Sequence, residues 1–181
     1  MANHYEMRFS GSGGQGMMLL GDIMAQAAGC LEGKEIVLTK SYGPESRGGA
    51  CRSELIIDDD PISYPAVTQP DLMLAMTQLA CDKYHCDLAP GGLLLIDSLL
   101  VKDPPAGDIK VIALPLTALA REKTGKEITA NVAALGAIAV LNRNVGLEAV
   151  RRAIVDRLPA PLLAINQLAF QAGVDAARGL A

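Results

Sequence analysis

Apolar residues recur along this chain with two different spacings, and the spacings alternate from one segment to the next. Alternation and short apolar runs predict strands over residues 5–10, 35–40, 50–58, 70–76, 93–97 and 109–114. Helical spacing predicts helices over residues 17–28, 78–88, 116–123, 131–141, 147–156 and 164–178, with Gly29 ending the first. This order predicts an α/β fold with a doubly wound, mostly parallel, Rossmann-like sheet. Since no helix precedes segment 50–58, we predict that it forms a small antiparallel embellishment.

Composition and charge narrow the class of protein. The length of 181 residues predicts a single domain over 1–181, and a charged fraction of 20%, below the usual ~25%, predicts a subunit interface. The net charge of −4 and the lack of any basic run longer than two residues argue against nucleic-acid binding. We expect no membrane span, because no uncharged apolar stretch approaches ~18 residues. Glu6 and Arg8 in the first apolar run argue against a signal peptide, so we expect a cytoplasmic protein with reduced cysteines.

A glycine-rich loop joins the first predicted strand to the first predicted helix. Gly11, Gly13 and Gly16 have the spacing of the dinucleotide-binding fingerprint, and Gly14 and Gln15 lie between them. A loop of this kind directs backbone N–H groups and the positive end of a helix towards one point, where an anion can bind. A tight turn that packs a helix onto a sheet needs the same glycines. The spacing alone therefore leaves a phosphate site and a purely structural turn open.

The end of the second strand does not carry the group that NAD binding requires. An acidic residue should accept the ribose hydroxyls at this position, but the chain has Thr39, Lys40 and Ser41 there. A lysine with two hydroxyls suits a phosphate better than a bare ribose. This position therefore argues against ordinary NAD binding and still allows a phosphorylated nucleotide.

A second unusual loop, residues 41–49, follows at the same predicted edge of the sheet as the glycine loop. Arg47 offers a planar fork for a phosphate or carboxylate, and Gly48 and Gly49 leave its surroundings open. The alternative is that Arg47 pairs with Glu45 on the surface. The candidate binding residues are Gly11, Gly13, Gly14, Gln15, Gly16, Lys40, Ser41, Arg47, Gly48 and Gly49.

Other catalytic chemistries lack their characteristic residues. Cys81, His85 and Cys86 do not have the spacing of a zinc or iron–sulfur site, so we predict no metal site. His4 and His85 do not adjoin a nucleophile motif, and the glycine loop lacks the lysine of a phosphate-transfer loop. We therefore predict no catalytic residue in this chain.

Taken together, the two loops, GSGGQG at 11–16 and SYGPESRGG at 41–49, resemble the gamma subunit of 2-oxoacid:ferredoxin (acceptor) oxidoreductases. The resemblance covers nearly the whole chain, because it continues through segments 51–54, 70–71, 90–92, 97–98, 131–136 and 166–173. The form of the second loop most resembles the 2-oxoglutarate branch. The pyruvate, branched-chain and indolepyruvate branches share much of the pattern and remain alternatives.

The resemblance implies a non-autonomous subunit of an enzyme that oxidatively decarboxylates a 2-oxoacid, forms an acyl-CoA and reduces ferredoxin. Thiamine diphosphate, Mg²⁺ and the iron–sulfur clusters would then belong to partner subunits, namely alpha, beta and a ferredoxin-like delta. This chain would be inert alone, would contribute to assembly, and is a candidate for coenzyme A binding. A gamma–gamma contact within the complex is a further expectation. The alternative is a non-catalytic nucleotide-binding or structural partner whose glycine loops dock a neighbouring subunit.

Overall fold

The computed structural model describes residues 4–42 and 49–180. Its strands are β1 (Tyr5–Ser12), β2 (Glu35–Ser41), β3 (Ala50–Asp58), β4 (Leu72–Ala75), β5 (Leu93–Asp97) and β6 (Lys110–Leu114). Its α-helices are α1 (Met17–Ala25), α2 (Gln78–Tyr84), α3 (Leu116–Thr124), α4 (Ala130–Leu141), α5 (Leu147–Arg157) and α6 (Ala160–Ala177). Within these two stretches of chain, no helix has both the length and the apolarity needed to cross a membrane.

The strands form one six-stranded sheet in the order β2-β3-β1-β4-β5-β6. The pairs β1–β4, β4–β5 and β5–β6 are parallel, whereas β3 is antiparallel to both of its neighbours, β1 and β2. The predicted α/β fold and its antiparallel embellishment are confirmed. The embellishment lies within the sheet, because β3 returns directly from β2 and occupies the place beside β1. As a result, β1 and β2 run in the same direction without being neighbours.

Helices cover the two faces of the sheet unequally. The larger core lies between one face of the sheet and α1, α3, α4, α5 and α6, and it includes the fully buried Phe9 and Phe170. The smaller core lies under α2 on the opposite face and includes Met73 and Tyr84. Helix α4 is buried along almost its whole length because it lies in the larger core against α3 and α6. This arrangement explains its nearly continuous apolar sequence.

Two glycines allow α4 and α6 to cross with their backbones in contact. A Cβ on Gly173 would overlap the carbonyl oxygen of Ala133, and a Cβ on Gly136 would overlap that of Phe170. Each glycine therefore faces the backbone of the opposite helix. Backbone atoms cannot rotate away as a side chain can, so both positions require glycine.

Some predicted boundaries differ from the structure. Gly29 does not end the first helix, because a π-helical segment, Gln26–Leu31, continues from α1. A Cβ on Gly29 would lie 3.0 Å from Cγ1 of Ile36, so this glycine serves close packing against β2. Helix α6 begins at Ala160 rather than at residue 164. Pro161 is tolerated in its first turn because an N–H group there would have no partner within the helix.

Candidate functional site

The glycine loop adopts a conformation that only glycine tolerates easily. Gly14 and Gly16 have φ angles of +92° and +77°, in the left-handed region. Gly16 is the N-cap residue of α1 and provides no side-chain cap. The first N–H groups of a helix have no partner within that helix, so the loop presents donors together with the positive end of α1.

Gly11, Gly13 and Gly16 differ in what a Cβ atom at each position would contact. A Cβ on Gly11 would lie 2.6 Å from Oε1 of Gln15, and a Cβ on Gly16 would overlap Nδ2 of Asn131. Internal packing therefore explains these two glycines. Gly13 is different, because its φ lies outside the left-handed region. Apart from its two chain neighbours, no residue in 4–42 or 49–180 has a heavy atom within 4 Å of its Cβ position. Neither strain nor packing within this part of the chain accounts for Gly13.

The side chain of Gln15 stabilises the glycine loop through two hydrogen bonds. Its Oε1 accepts a hydrogen bond from the N–H of Ser12 at 2.8 Å, and its Nε2 donates to the carbonyl of Met76 at 3.5 Å. The backbone N–H of Gln15 also donates to the carbonyl of Ser12 at 3.2 Å. Gln15 thus connects the ends of β1 and β4, and this contact orients the backbone at Gly13 and Gly14.

Two grooves flank the loop, and Gly14, Ile128 and Asn131 line both. The first, here called the α6 groove, has a volume of about 340 Å³. It is lined by Gly14, Gly16, Leu19, Lys126, Ile128, Thr129, Asn131, Val132, Leu158, Leu162, Ile165 and Asn166. The second, here called the α3 groove, has a volume of about 330 Å³. It is lined by Gly14, Gln15, Met76, Leu99, Leu100, Thr117, Glu127, Ile128, Ala130 and Asn131.

The structure brings residues 11–16 together but places the predicted cation Lys40 elsewhere. Nζ of Lys40 donates to Oδ1 of Asp22 at 2.7 Å, and Arg157 lies 2.9 Å from the other oxygen of the same carboxylate. Lys40 and Ser41 line neither groove. Ser41 is exposed at the end of β2, opposite Arg52 of β3. A phosphate on the glycine loop therefore has no contact with Lys40 in this arrangement.

The second predicted loop lies mostly outside the described residues, and both Arg47 and Gly48 fall there. Gly49 is half-buried directly before β3. Beyond it, the guanidinium carbon of Arg52 lies 5.0 Å from the ring centroid of Tyr84, and its Nε lies 3.1 Å from Glu54. The binding role of the second loop stays a prediction.

Two further residues, Lys126 and Asn131, lie beside the glycine loop and were not predicted as site residues from the sequence. Lys126 lines the α6 groove with Gly14 and Gly16, and among residues 4–42 and 49–180 it is the only charged residue that lines this groove. Nδ2 of Asn131 donates to the carbonyl of Gly16 at 3.4 Å, and its Oδ1 accepts from the N–H of Val132 at 2.9 Å. A polar residue at the start of an otherwise apolar helix was the available signal for Asn131. Lys126 lies on a polar turn and had no comparable signal.

Two buried cysteine thiols have environments that favour the neutral form. Burial raises the pKa of Cys81 to about 11, with the charge of Asp82 adding to the shift. Burial also raises the pKa of Cys51. Both thiols therefore stay protonated at neutral pH, whereas a nucleophile or metal ligand must be a thiolate. In the part of the chain that the structure describes, no three His, Cys, Asp or Glu side chains are grouped to hold a metal ion.

Comparison with known proteins assigns the family. Residues 6–176 match the family model described as pyruvate ferredoxin/flavodoxin oxidoreductase. The chain belongs to this family. The resemblance to this oxidoreductase family is thereby confirmed, and its gamma-subunit form is confirmed by the relatives and structures below.

Relatives and solved structures agree with this assignment. The chain is 42% identical to the 2-oxoglutarate synthase subunit KorC of Methanocaldococcus jannaschii, over 97% of this chain and 95% of that subunit. It matches the keto/oxoacid ferredoxin oxidoreductase gamma subunit from Geobacter sulfurreducens with a TM-score of 0.89 and 47% identity, over 97% of each chain. The 2-oxoglutarate:ferredoxin oxidoreductase from Magnetococcus marinus matches 98% of this chain and 32% of its own, with a TM-score of 0.87. At 22% identity, that match shows the fold alone.

Proposed function

We propose that this chain is the gamma subunit of a cytoplasmic 2-oxoglutarate:ferredoxin oxidoreductase, and that its glycine loop holds a phosphate of coenzyme A. The extended similarity to subunits KorC supports the 2-oxoglutarate branch. The Magnetococcus marinus enzyme, which shares this fold, holds 2-oxoglutarate, coenzyme A and succinyl-CoA. The alpha and beta subunits and ferredoxin are the partners that this function requires.

Gly13 is the observation that carries the coenzyme A proposal. Its Cβ position is open, although neither a left-handed φ nor a neighbour among the described residues demands glycine there. In phosphate-binding loops, the second glycine of this spacing lets the backbone approach the phosphate closely. The N-terminus of α1 adds N–H donors, and Lys126 of the adjoining groove adds a positive charge.

Within residues 4–42 and 49–180, the side chains do not fit thiamine diphosphate with Mg²⁺ or an iron–sulfur cluster. Of the four cysteines, Cys51 and Cys81 are buried, and only Cys30 and Cys86 are exposed. A cluster needs four thiolates, and Mg²⁺ needs grouped oxygen ligands. We therefore assign the oxidative decarboxylation to partner subunits and derive none of its steps here.

Coenzyme A supplies the thiol that accepts the acyl group. What this chain contributes is binding and orientation: the loop fixes one end of the cofactor, and the partner subunits receive the other. Holding the phosphate at a rigid strand–helix junction restricts where the thiol can reach. Gln15 supports that rigidity because it ties the loop to β4.

Replacing Gly13 by valine tests the proposal. In the complex assembled with alpha and beta subunits, we expect G13V to weaken coenzyme A binding at least tenfold, because the side chain occupies the space through which the phosphate approaches. Calorimetric titration with coenzyme A measures this. The melting temperature should change little, since no described heavy atom beyond the neighbouring residues lies within 4 Å of a Cβ at this position. Ala113→Val, an exposed substitution on β6, is the matched control. Unchanged coenzyme A affinity in a correctly assembled G13V complex would overturn the proposal.

A second role for the same surface is docking of a neighbouring subunit. Ile128 is 73% exposed between the two grooves, and Leu162 is 46% exposed beside it. Such apolar side chains are typical of a surface that another chain covers. Under this alternative, G13V prevents co-purification with alpha and beta subunits, whereas under the coenzyme A proposal the complex forms normally.

Replacing Lys126 tests whether its positive charge contributes to coenzyme A binding. We expect Lys126→Met to weaken coenzyme A binding several-fold and to reduce its dependence on salt, because one ion pair with a phosphate is lost. The matched control is Lys123→Met, which removes a lysine that lies 3.0 Å from Glu122 on α3 and lines neither groove. Equal effects of the two variants would show that Lys126 has no specific role.

A further inference from the structure

The short 3₁₀ turn that follows α2, His85–Asp87, brings a thiol and an imidazole together. Sγ of Cys86 lies 3.4 Å from Nε2 of His85, which is within hydrogen-bond range for sulfur. Nδ1 of the same ring lies 2.9 Å from the carbonyl oxygen of Cys81. A carbonyl oxygen can only accept, so Nδ1 carries the proton and Nε2 of the neutral ring is an acceptor. The thiol of Cys86 therefore donates to Nε2.

This pair has the arrangement that activates a sulfur nucleophile. Such a nucleophile lies within hydrogen-bond reach of a base, and a third group orients the base. Here Nε2 of His85 can take the proton of Cys86, and the carbonyl of Cys81 fixes the ring. The thiolate is the form of cysteine that reacts. Proton transfer to Nε2 therefore leaves the reactive sulfur beside an imidazolium.

The two acidic side chains nearest to this turn in sequence have partners of their own. The carboxylate of Asp87 pairs with the guanidinium of Arg8. Oδ1 of Asp82 accepts a hydrogen bond from Nε2 of Gln78 at 2.7 Å. A carboxylate without a partner would oppose a negative charge on the neighbouring sulfur. Arg8 offsets that opposition for Asp87, the residue next to the thiol.

The other three cysteines lack this combination of exposure and a base. Cys51 and Cys81 are buried, whereas Cys30 and Cys86 are exposed. The chain has two histidines, and both ring nitrogens of His4 face carboxylates instead of a thiol. Cys30 is therefore an exposed thiol without an imidazole partner. It provides a matched comparison for Cys86 within the same chain.

We propose that Cys86 is a site of S-thiolation, at which His85 takes the thiol proton and the sulfur attacks a low-molecular-mass disulfide. A bond forms between Sγ and one sulfur of the reagent while the S–S bond of the reagent breaks. The other half leaves as a thiolate and receives the proton from Nε2. The products are a mixed disulfide on the protein and one free thiol, so no further oxidant is needed. Residues 78–87 line neither the α6 groove nor the α3 groove, so this site is separate from the proposed function.

Exchange with dithiobis-nitrobenzoate tests the proposal, because each reaction releases one coloured thiolate. In the full chain we expect Cys86 to react about tenfold or more faster than Cys30, since only Cys86 has a base beside it. Cys86→Ser should abolish the fast phase, and Cys30→Ser should leave it unchanged. After incubation with oxidised glutathione, mass spectrometry of the digested chain should find the first adduct on Cys86.

Replacing His85 by asparagine separates the base from the hydrogen bond that orients it. Asn142 and Asn166 each donate from Nδ2 to the carbonyl four residues earlier, at 2.8 Å. An asparagine at 85 can make the same bond to the carbonyl of Cys81, but its amide cannot take a proton. We expect H85N to slow the exchange of Cys86 about tenfold, towards the rate of Cys30. Cystamine, a cationic disulfide, should show the same decrease as the anionic nitrobenzoate reagent.

The buried thiols of Cys51 and Cys81 report whether each variant is folded, because they react only slowly unless the fold opens. If H85N exposes them, His85→Gln is measured against the same internal control. Equal rates for Cys30 and Cys86 in the unaltered chain would overturn the proposal. An unchanged rate of Cys86 in a folded His85 variant would also overturn it. A decrease with the anionic reagent alone would show that His85 attracts charge, which contradicts the proton transfer.

Discussion

Replacing Gly173 by alanine is expected to lower the free energy of unfolding by about 3 kcal/mol or more, at the upper end of what overpacking a core costs. The added Cβ would overlap the carbonyl oxygen of Ala133 on α4, and only a movement of one whole helix relieves this. Because α4 and α6 carry much of the larger core, such a movement disturbs the packing of α3 as well. Chemical denaturation of the full chain measures the loss.

The control for Gly173 lies on the same helix. Gln167→Ala at an exposed position should be neutral or slightly stabilising, since alanine has the better helix propensity. Gly136→Ala should resemble G173A, because its Cβ would overlap the carbonyl of Phe170. A G173A protein within about 1 kcal/mol of the unaltered chain, the low end of what overpacking costs, would show that the two backbones do not approach this closely.

Replacing Arg8 by methionine is expected to cost about 2–3 kcal/mol of stability, because the buried Glu54 carboxylate loses a charge-assisted hydrogen bond and keeps only the guanidinium of Arg52, 3.1 Å away. Arg8 is 2% exposed, and its Nε donates to Oε1 of Glu54 at 2.7 Å. It also pairs with Asp87, and its guanidinium carbon lies 5.5 Å from the ring centroid of Tyr84. The pair therefore connects β1, β3 and the end of α2 under the smaller core.

A double variant separates the cost of leaving a buried charge with fewer partners from the net contribution of the ion pair. Replacing a buried ion pair with apolar residues is often neutral, so Arg8→Met with Glu54→Leu should regain part of the lost stability. The regain is partial because Arg52, whose side chain is 32% exposed, also loses Glu54 as a partner. Arg152→Met, at a 75% exposed side chain 4.0 Å from Asp156, should change stability by less than about 0.5 kcal/mol. If R8M were no more destabilising than R152M, then the Arg8–Glu54 pair would have to be solvated rather than buried.

The periodicity of the sequence predicted the strands and helices well because most of them bury one clear face. It also predicted the direction of β3, since the nine-residue segment 41–49 is too short to hold a crossover helix. The position of β3 between β1 and β2 was not predictable, because pairing depends on which edges meet in three dimensions. The prediction that Gly29 ends the first helix was wrong for a similar reason, because Gly29 packs against Ile36 of β2 and this contact is not visible in the sequence.

The residues of the candidate site also separate into those that the sequence could predict and those that depend on the tertiary structure. Residues 11–16 could be predicted from the glycine spacing, because a strand–helix junction is a local structure. Lys40 shows the limit of that reasoning. It lies at the expected edge of the sheet, but Asp22 of α1 lies on the same face and binds its ammonium. A charge recognised in the sequence binds whichever opposite charge the fold places beside it.

The sequence by itself determined the family, the class of fold and the glycine loop, since each depends on local patterns and on motif order along the chain. Only the tertiary structure decided which glycine is free of internal packing and which side chains surround the loop. Gly11, Gly13 and Gly16 are equivalent in the motif, yet Gln15 accounts for the first and Asn131 for the last. Asn131 is 115 residues from Gly16 along the chain, so the contact exists only because α4 begins beside α1. The open space at Gly13 is likewise a property of the folded chain.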